Sequence, residues 1–363
     1  QLSAPSSVIF PNEPLEVVGD GLLLGSEGAE VALVQGCFTT EGSSTCDPVE
    51  PQWVPIAASQ PFDRTRGTFE FVPAIAGIRP GRFEGTVTVQ NEHAFGTLLE
   101  TEAMPVTWDL VEPVLYGVDT ESASLGRYVT ISGAGFVGGA QNTNTVLRFT
   151  GIFTSDSTGV PVQIDELLFP EFVSGQQIRY VINEDDGLSS QIDIRFEPGR
   201  FEGLVTPVIA YGDQEVEGGQ TPFAFRLEPV RQVVWVNFSG AYKESLRTFG
   251  LRAVDQRIRE RVLEVLARDY ATLNVDVRLE QPEDFALYTE VDIGGPDPNG
   301  LGLLGYDNTP GKDTENLRLY DRIGGVNALT QEDGFPGFGG VFIESLFGYS
   351  EHPGDLAEPI RTD

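Results

Sequence analysis

Lysine is almost missing from this chain of 363 residues: Lys243 and Lys312 are its two, and 23 basic residues face 55 acidic ones for a net charge of −32. A surface of that sign repels nucleic acid and anionic membranes, which removes both as partners, while self-repulsion favours solubility. Histidine is as scarce. His93 and His352 lie far apart, and no His-Glu-x-x-His motif occurs, so the chain has no paired imidazoles with an adjacent general base for a hydrolytic zinc. Cysteine is limited to Cys37 and Cys46, too few for a four-thiolate zinc site. No apolar run reaches the roughly 18 residues of a membrane helix, so no membrane insertion is expected. A G-x-S-x-G elbow is also absent, and Ser239 and Ser345 have no nearby histidine to activate them.

The two cysteines flank a stretch rich in Gly, Ser and Thr that can turn back on itself. An oxidised pair would close a short loop and stabilise its module by about 2.5–3 kcal/mol on the chain-entropy model. That expectation favours an oxidising compartment; the alternative is two free thiols in a reducing one. The chain starts at Gln1, not Met, and is expected to be a secreted product whose signal peptide was removed. Arginine-rich, lysine-poor, acidic usage suits a secreted or salt-exposed bacterial protein.

What is present is a repeat. Pro80-Gly81-Arg82-Phe83-Glu84-Gly85 returns as Pro198-Gly199-Arg200-Phe201-Glu202-Gly203, and Gly36-Cys37-Phe38-Thr39 answers to Gly151-Ile152-Phe153-Thr154. Glu112-Pro113-Val114 likewise answers to Glu228-Pro229-Val230. The spacing predicts two copies of one module, residues 1–112 and 113–230, and a different unit over 231–363. Within each copy, short runs of Val, Ile, Thr and aromatics alternate between Gly, Pro, Asn and Asp, the pattern of a small antiparallel β-sandwich. Tyr128–Ile131 and Thr145–Phe149 read as strands, with Gly133-Ala134-Gly135 as a turn; the Pro-Gly of each hexamer reads as a turn before the next strand.

Ser122-Ala123-Ser124-Leu125-Gly126, followed by Val129-Thr130-Ile131-Ser132-Gly133-Ala134-Gly135-Phe136, resembles the opening of an IPT/TIG immunoglobulin-like domain. In the first copy Leu15-Glu16-Val17-Val18-Gly19-Asp20-Gly21-Leu22 keeps the strand and both glycines but has Leu22 in place of the aromatic. The resemblance covers residues 5 to 228 and implies extracellular spacer, adhesion or assembly modules, not catalysts.

After Pro229 the pattern changes. Val233–Phe238 is a nearly continuous apolar run, as for a buried strand. Val254, Ile258, Val262, Val265, Leu266 and Tyr270 then fall at helical spacing, and strands are expected over Leu273–Leu279 and Tyr288–Ile293. This order predicts an α/β unit. Together with the tract Asp269-Tyr270-Ala271, Asn274-Val275-Asp276-Val277 and Val291-Asp292-Ile293-Gly294-Gly295, it resembles the first half of a metzincin-like zinc metallopeptidase over residues 232–347. That resemblance would put Gly340-Val341-Phe342-Ile343 on the strand near a substrate cleft. The departure is the missing zinc helix: as given, the domain is non-catalytic or incomplete. The fold class expected is therefore multidomain, two all-β immunoglobulin-like sandwiches followed by an α/β, metzincin-like domain.

Candidate sites are few. Gly300-Leu301-Gly302-Leu303-Leu304-Gly305 fits the dinucleotide pattern letter for letter, but Asp307-Asn308-Thr309-Pro310-Gly311 follows it with turn chemistry where a helix is needed, so it reads as a glycine loop. The same loop offers Asp297, Asn299, Asp307 and Asp313 as candidate oxygen ligands of a structural calcium, with Asn308 and Glu315 nearby. Asn183-Glu184-Asp185-Asp186-Gly187 reads as a solvated acidic turn, His93 as a hairpin residue and His352 as a turn residue. Arg82 and Arg200 are expected to pair with their neighbouring Glu or with acidic groups on the other module, and no cofactor or catalytic residue is assigned. The function expected is a secreted bacterial cell-surface or matrix protein that acts in adhesion or extracellular assembly, with a protein or cell-surface partner or copies of itself. Two alternatives stay open. One is the N-terminal portion of a secreted metzincin-type zinc endopeptidase whose catalytic helix lies beyond residue 363; the other is a carbohydrate-binding protein.

Overall fold

The computed structural model describes residues 8–23, 27–60, 63–94, 96–185, 187–309, 319–326 and 335–349. Strands dominate, arranged in several sheets. Two compact units result: Gln1–Ser122 with Val129–Tyr180 and Glu184–Leu227, and Ala123–Tyr128 with Val181–Asn183 and Glu228–Asp363.

The first sandwich is built from β1 (Val8–Ile9), β2 (Pro14–Val18), β3 (Gly28–Thr40), β4 (Asp47–Pro55), β5 (Ala57–Ala58), β6 (Arg66–Glu70), the one-turn helix α1 (Pro73–Ala76), β7 (Gly81–His93), β8 (Leu98–Glu100) and β9 (Met104–Leu110). One sheet runs β1-β9-β7-β3-β4 with β8 beside β7, and the other β2-β6-β5. Their inner faces meet over Phe69, Phe71, Phe83, Val87 and Trp108, with Phe83 stacked on Trp108 at 5.6 Å between centroids. Every second residue of β7 near its start points into this core, the period a half-buried strand requires.

The second sandwich follows the same plan: β10 (Val114–Val118), β11 (Ser122–Ala123), β12 (Tyr128–Ala134), β13 (Thr143–Ser155), β14 (Pro161–Leu168), β15 (Glu171–Ser174), β16 (Gln177–Val181), a 3-10 turn (Gly187–Ser190), β17 (Gly199–Tyr211), β18 (Gln214–Glu217) and β19 (Thr221–Leu227). Its sheets run β11-β19-β17-β13-β14, with β18 beside β17, and β10-β12-β16-β15. Register makes the repeat explicit. Phe38 pairs with Phe83 and Gly36 with Gly85 in the first copy, as Phe153 pairs with Phe201 and Gly151 with Gly203 in the second. Trp108 and Phe225 occupy the same cross-strand position, a correspondence the letters do not show.

The hexamer is not a turn followed by a strand, as its Pro-Gly suggested. β7 and β17 begin at Gly81 and Gly199 themselves, paired on both sides. Glycine is required there for space: a Cβ on Gly81 would lie 2.4 Å from the Thr39 carbonyl oxygen, and one on Gly85 2.1 Å from that of Gln35. The facing pair Gly36 and Gly85 leaves a slot for the Phe83 ring, whose edge would be 2.8–2.9 Å from either added Cβ. β12 likewise extends through Gly133 and Ala134 and ends before Gly135, whose φ is +82°.

The two sandwiches share one unit because they share buried contact. Ile78, Val137, Ile209 and Val216 form an apolar cluster with Tyr211 against it, each buried aliphatic side chain contributing about 1.5–3 kcal/mol. Asn12, at φ +56°, sends its amide Nδ2 to the Phe136 carbonyl oxygen at 2.9 Å. Asparagine tolerates that left-handed backbone better than most residues.

The second unit centres on β20 (Gln232–Phe238), α2 (Gly240–Thr248), α3 (Asp255–Asp269), β21 (Val275–Arg278), β22 (Thr289–Gly294), β23 (Gly305–Tyr306), β24 (Asp321–Ile323), β25 (Gly325–Val326), β26 (Phe338–Phe342) and α4 (Ile343–Gly348). Its sheet runs β21-β20-β22-β26-β23, with β24 beside β22 and β25 beside β26. β21, β20, β22 and β26 are mutually parallel where paired, and β23 is antiparallel to β26. Val236 and Phe238 pack against Tyr242, Leu246 and Leu251, with Ile258, Val262 and Leu266 of α3 partly buried on the same cluster. Sequence periodicity missed α2, because its buried face is Tyr242, Ser245 and Leu246, with only two apolar residues to mark it; the Ser239 hydroxyl caps it by accepting the Tyr242 N–H at 3.3 Å.

Candidate functional site

The disulfide expected from spacing is present. Cys37 near the end of β3 and Cys46 just before β4 are bonded, with Cα atoms 5.3 Å apart, and tie the hairpin Glu41–Thr45 to the sheet. The equivalent hairpin of the second copy has no cysteine. Arg226 instead binds Asp156 at 2.7 Å, and the Asp156 N–H donates to the Pro198 carbonyl just as Glu41 does to Pro80.

The hexamer arginines serve local pairing. Arg82 makes two bonds to Asp109 on β9, at 2.7 and 3.2 Å, and that hydrogen bonding holds the Asp109 carboxyl below the usual range. Arg200 binds Glu202, two residues along its own strand, at 2.8 Å. His93 closes β7, its backbone N–H donating to Thr97. His352 lies outside the described residues. In the acidic turn, Glu184 binds Arg195 at 2.6 and 3.1 Å, and the Asn183 amide donates to the Val181 carbonyl. An open cavity of about 300 Å³ lies here, lined by Glu184, Ser189, Gln191 and Asp193 among others. Its charged and amide groups are engaged within the fold. Asp193 accepts from the Arg195 and Phe196 N–H groups, and Gln191 donates to Glu166 at 2.5 Å.

The glycine loop is organised by Asp297. Its carboxylate accepts the backbone N–H groups of Asn299, Leu301 and Leu303 at 2.9–3.0 Å, together with the Asn299 amide. Desolvation works the other way, yet these donors hold the Asp297 carboxyl below its ordinary range. The N–H groups a dinucleotide phosphate would need are thus turned onto a side-chain anion, and β23, not a helix, begins at Gly305. Asn299 pairs with the backbone of Phe338 through both amide atoms, at 2.9 Å each. Asp307 accepts from the Thr309 N–H and hydroxyl. Asn308 is fully buried and donates to the Gly325 and Gly337 carbonyls. Asp313 and Glu315 lie outside the described residues. Among the described residues, no group of three or more His, Cys, Asp or Glu side chains is placed to hold a metal ion, and no helix is long and apolar enough to cross a membrane.

One polar cluster was not anticipated. On the face of the sheet away from α2 and α3, Asn237 donates Nδ2 to Glu290 and Asp292 at 2.9 Å each, and Arg322 of β24 lies 3.2 Å from Asp292 and 3.5 Å from Glu290. The two carboxylates are 18% and 17% exposed. The signal was available: a lone Asn inside an apolar strand, and Glu-x-Asp alternating on the next. With the guanidinium across both carboxylates and the Asn237 amide between them, the cluster links β20, β22 and β24. Ser239 spends its hydroxyl on the α2 cap, and Ser345 sits within α4.

No family model and no curated protein matches the chain. Among solved structures it is similar to murine CEACAM1b, at 11% identity over 62% of this chain and 98% of that one, with a TM-score of 0.16. It is also similar to dimeric latent PorU from Porphyromonas gingivalis, at 13% identity over 61% of this chain and 19% of that one, TM-score 0.21. The full extracellular region of plexin A4 matches at 11% identity over 63% and 20%, TM-score 0.20. Scores this low leave the architecture to be argued from the protein's own strand order and register.

Proposed function

We propose that this chain is an extracellular adhesion or assembly protein of a bacterial surface or matrix, in which two IPT/TIG-type sandwiches form one spacer that carries a non-catalytic α/β domain. The observation that supports it most is the shared apolar cluster of Ile78, Val137, Ile209 and Val216, which joins the sandwiches into a single unit suited to presenting a surface. The disulfide suits an oxidising compartment. The polar groups described above are spent on internal pairing and do not converge on a substrate. Light scattering across a concentration series, together with binding to cells or matrix, tests the reading. A protein that stays monomeric and binds neither would overturn it.

A second reading is that residues 231–363 belong to a metzincin-type zinc endopeptidase. It is supported by the strand-helix-strand order of β20, α3, β21 and β22, in which the three strands run parallel. Sequencing the encoding gene beyond codon 363 tests it: a downstream His-Glu-x-x-His supports the reading, and an immediate stop codon ends it.

A further inference from the structure

The contact between the sandwiches is heterologous: the turn at Ile78 on one module meets the β17–β18 hairpin on the next. The Ile78 N–H donates to Gln214 of that hairpin, and Ile78 packs with Ile209 and Val216. Because the modules are repeats, each carries both halves. Ile78-Arg79-Pro80-Gly81 answers to Phe196-Glu197-Pro198-Gly199. The pairing of Ile209 with Val216 across β17 and β18 answers to that of Asn91 with Leu99 across β7 and β8. The used halves are buried, Ile78 at 0% and Val216 at 8% exposure. Their repeat equivalents are not: Phe196 is 65% exposed, Leu99 56% and its neighbour Leu98 55%.

Single exposed apolar side chains are ordinary on any protein. Phe196 and Leu99 differ in being the repeat positions of Ile78 and Val216, which already form an interface. We propose that the Phe196 turn of one copy docks on the β7–β8 hairpin of a second copy, repeating between chains the contact made within each. The occupant follows from the chain itself, since one copy carries both an exposed Phe196 turn and an exposed Leu98-Leu99 hairpin strand at matching repeat positions, with Asn91 standing where the buried contact has Ile209. Such a head-to-tail contact leaves an open half at each end, so it grows into a linear assembly unless the rotation closes a ring. Glu197 beside Phe196 and Glu100 beside Leu99 are like charges, so screening by salt strengthens the contact. The inference deepens the extracellular-assembly reading and rests on it.

Sedimentation velocity of the full chain, at low and high salt, tests this with Leu99→Glu, Phe196→Glu and their equimolar mixture. The expected result is concentration-dependent, salt-enhanced association of the unaltered protein, weakened about tenfold or more in either variant. The mixture should form dimers that grow no further, because one variant keeps an intact turn and the other an intact hairpin. Association of the variants equal to that of the unaltered protein would overturn the docking while leaving assembly in place, as would a mixture that forms no dimer. An unaltered protein that stays monomeric throughout also overturns the docking; if that monomer still binds a surface, the adhesion reading survives.

Discussion

The Ile78 N–H of the first sandwich donates to Oε1 of Gln214 in the second at 3.0 Å, and the neighbouring Gly77, at φ +80°, lies so close that an added Cβ would be 2.5 Å from the same oxygen. A polar latch thus sits beside the apolar cluster that joins the modules. Ile78→Ala should cost about 2–5 kcal/mol, and Gln214→Ala about 1–3 kcal/mol by leaving a buried N–H unpaired. Calorimetry should show the sandwiches melting together in the unaltered protein and separating into two transitions in Ile78→Ala.

The glycine slot gives a sharper test. In Gly203→Ala the new Cβ would lie 2.4 Å from the Thr150 carbonyl oxygen and 2.6 Å from the Gly151 Cα, both backbone atoms that cannot swing aside. A loss of about 1–3 kcal/mol is expected, read from urea denaturation. Gly219→Ala, where nothing lies within 4 Å, should leave the midpoint unchanged.

Reduction should matter to the first sandwich. Opening Cys37–Cys46 is expected to cost about 2.5–3 kcal/mol on the chain-entropy model. The unfolding midpoint should fall on adding reductant, and a variant with Cys37→Ser and Cys46→Ser should start low and ignore reductant.

In the second unit Tyr242 donates its hydroxyl to Asp255 at 2.9 Å, and Arg259 clasps the same carboxylate while lying 4.2 Å from the Phe238 ring centroid. Tyr242→Phe should cost about 1–2 kcal/mol. Burial raises the Asp255 carboxyl, but bonds from Arg259 and Tyr242 outweigh it and leave it below the ordinary range. Its stabilisation is therefore present above the unfolded value of about 3.9 and is lost as pH falls through the lower folded value. Burial pushes the Tyr242 hydroxyl up, helped by Asp255, so its contribution is fully present below the unfolded value of about 10 and is lost as pH rises from there through the higher folded value. Melts across pH should show the acid arm shrink in Asp255→Ala and the alkaline arm shrink in Tyr242→Phe.

Much of the β architecture was legible because a repeat and a two-residue period are local facts. Tyr128–Ile131 and Val233–Phe238 fell inside observed strands, and the helix expected from Val254 to Tyr270 spans Asp255–Asp269. The site was less legible. Asp297 reads from sequence as a cation ligand, yet the turn it sits in aims backbone N–H groups at it. Asn237, Glu290, Asp292 and Arg322 come from three segments whose convergence depends on which strands lie side by side.

By itself the sequence determined the repeat, the acidic surface, the lack of paired imidazoles and the cysteine pair, since each is a property of composition or spacing. Only the tertiary structure decided that Ile78 is buried while Phe196 at the same repeat position is exposed, and that one hairpin of two is used. The physical reason is that a repeat gives each module the same surfaces, but burial belongs to the neighbour, and only one junction between modules lies within the described chain.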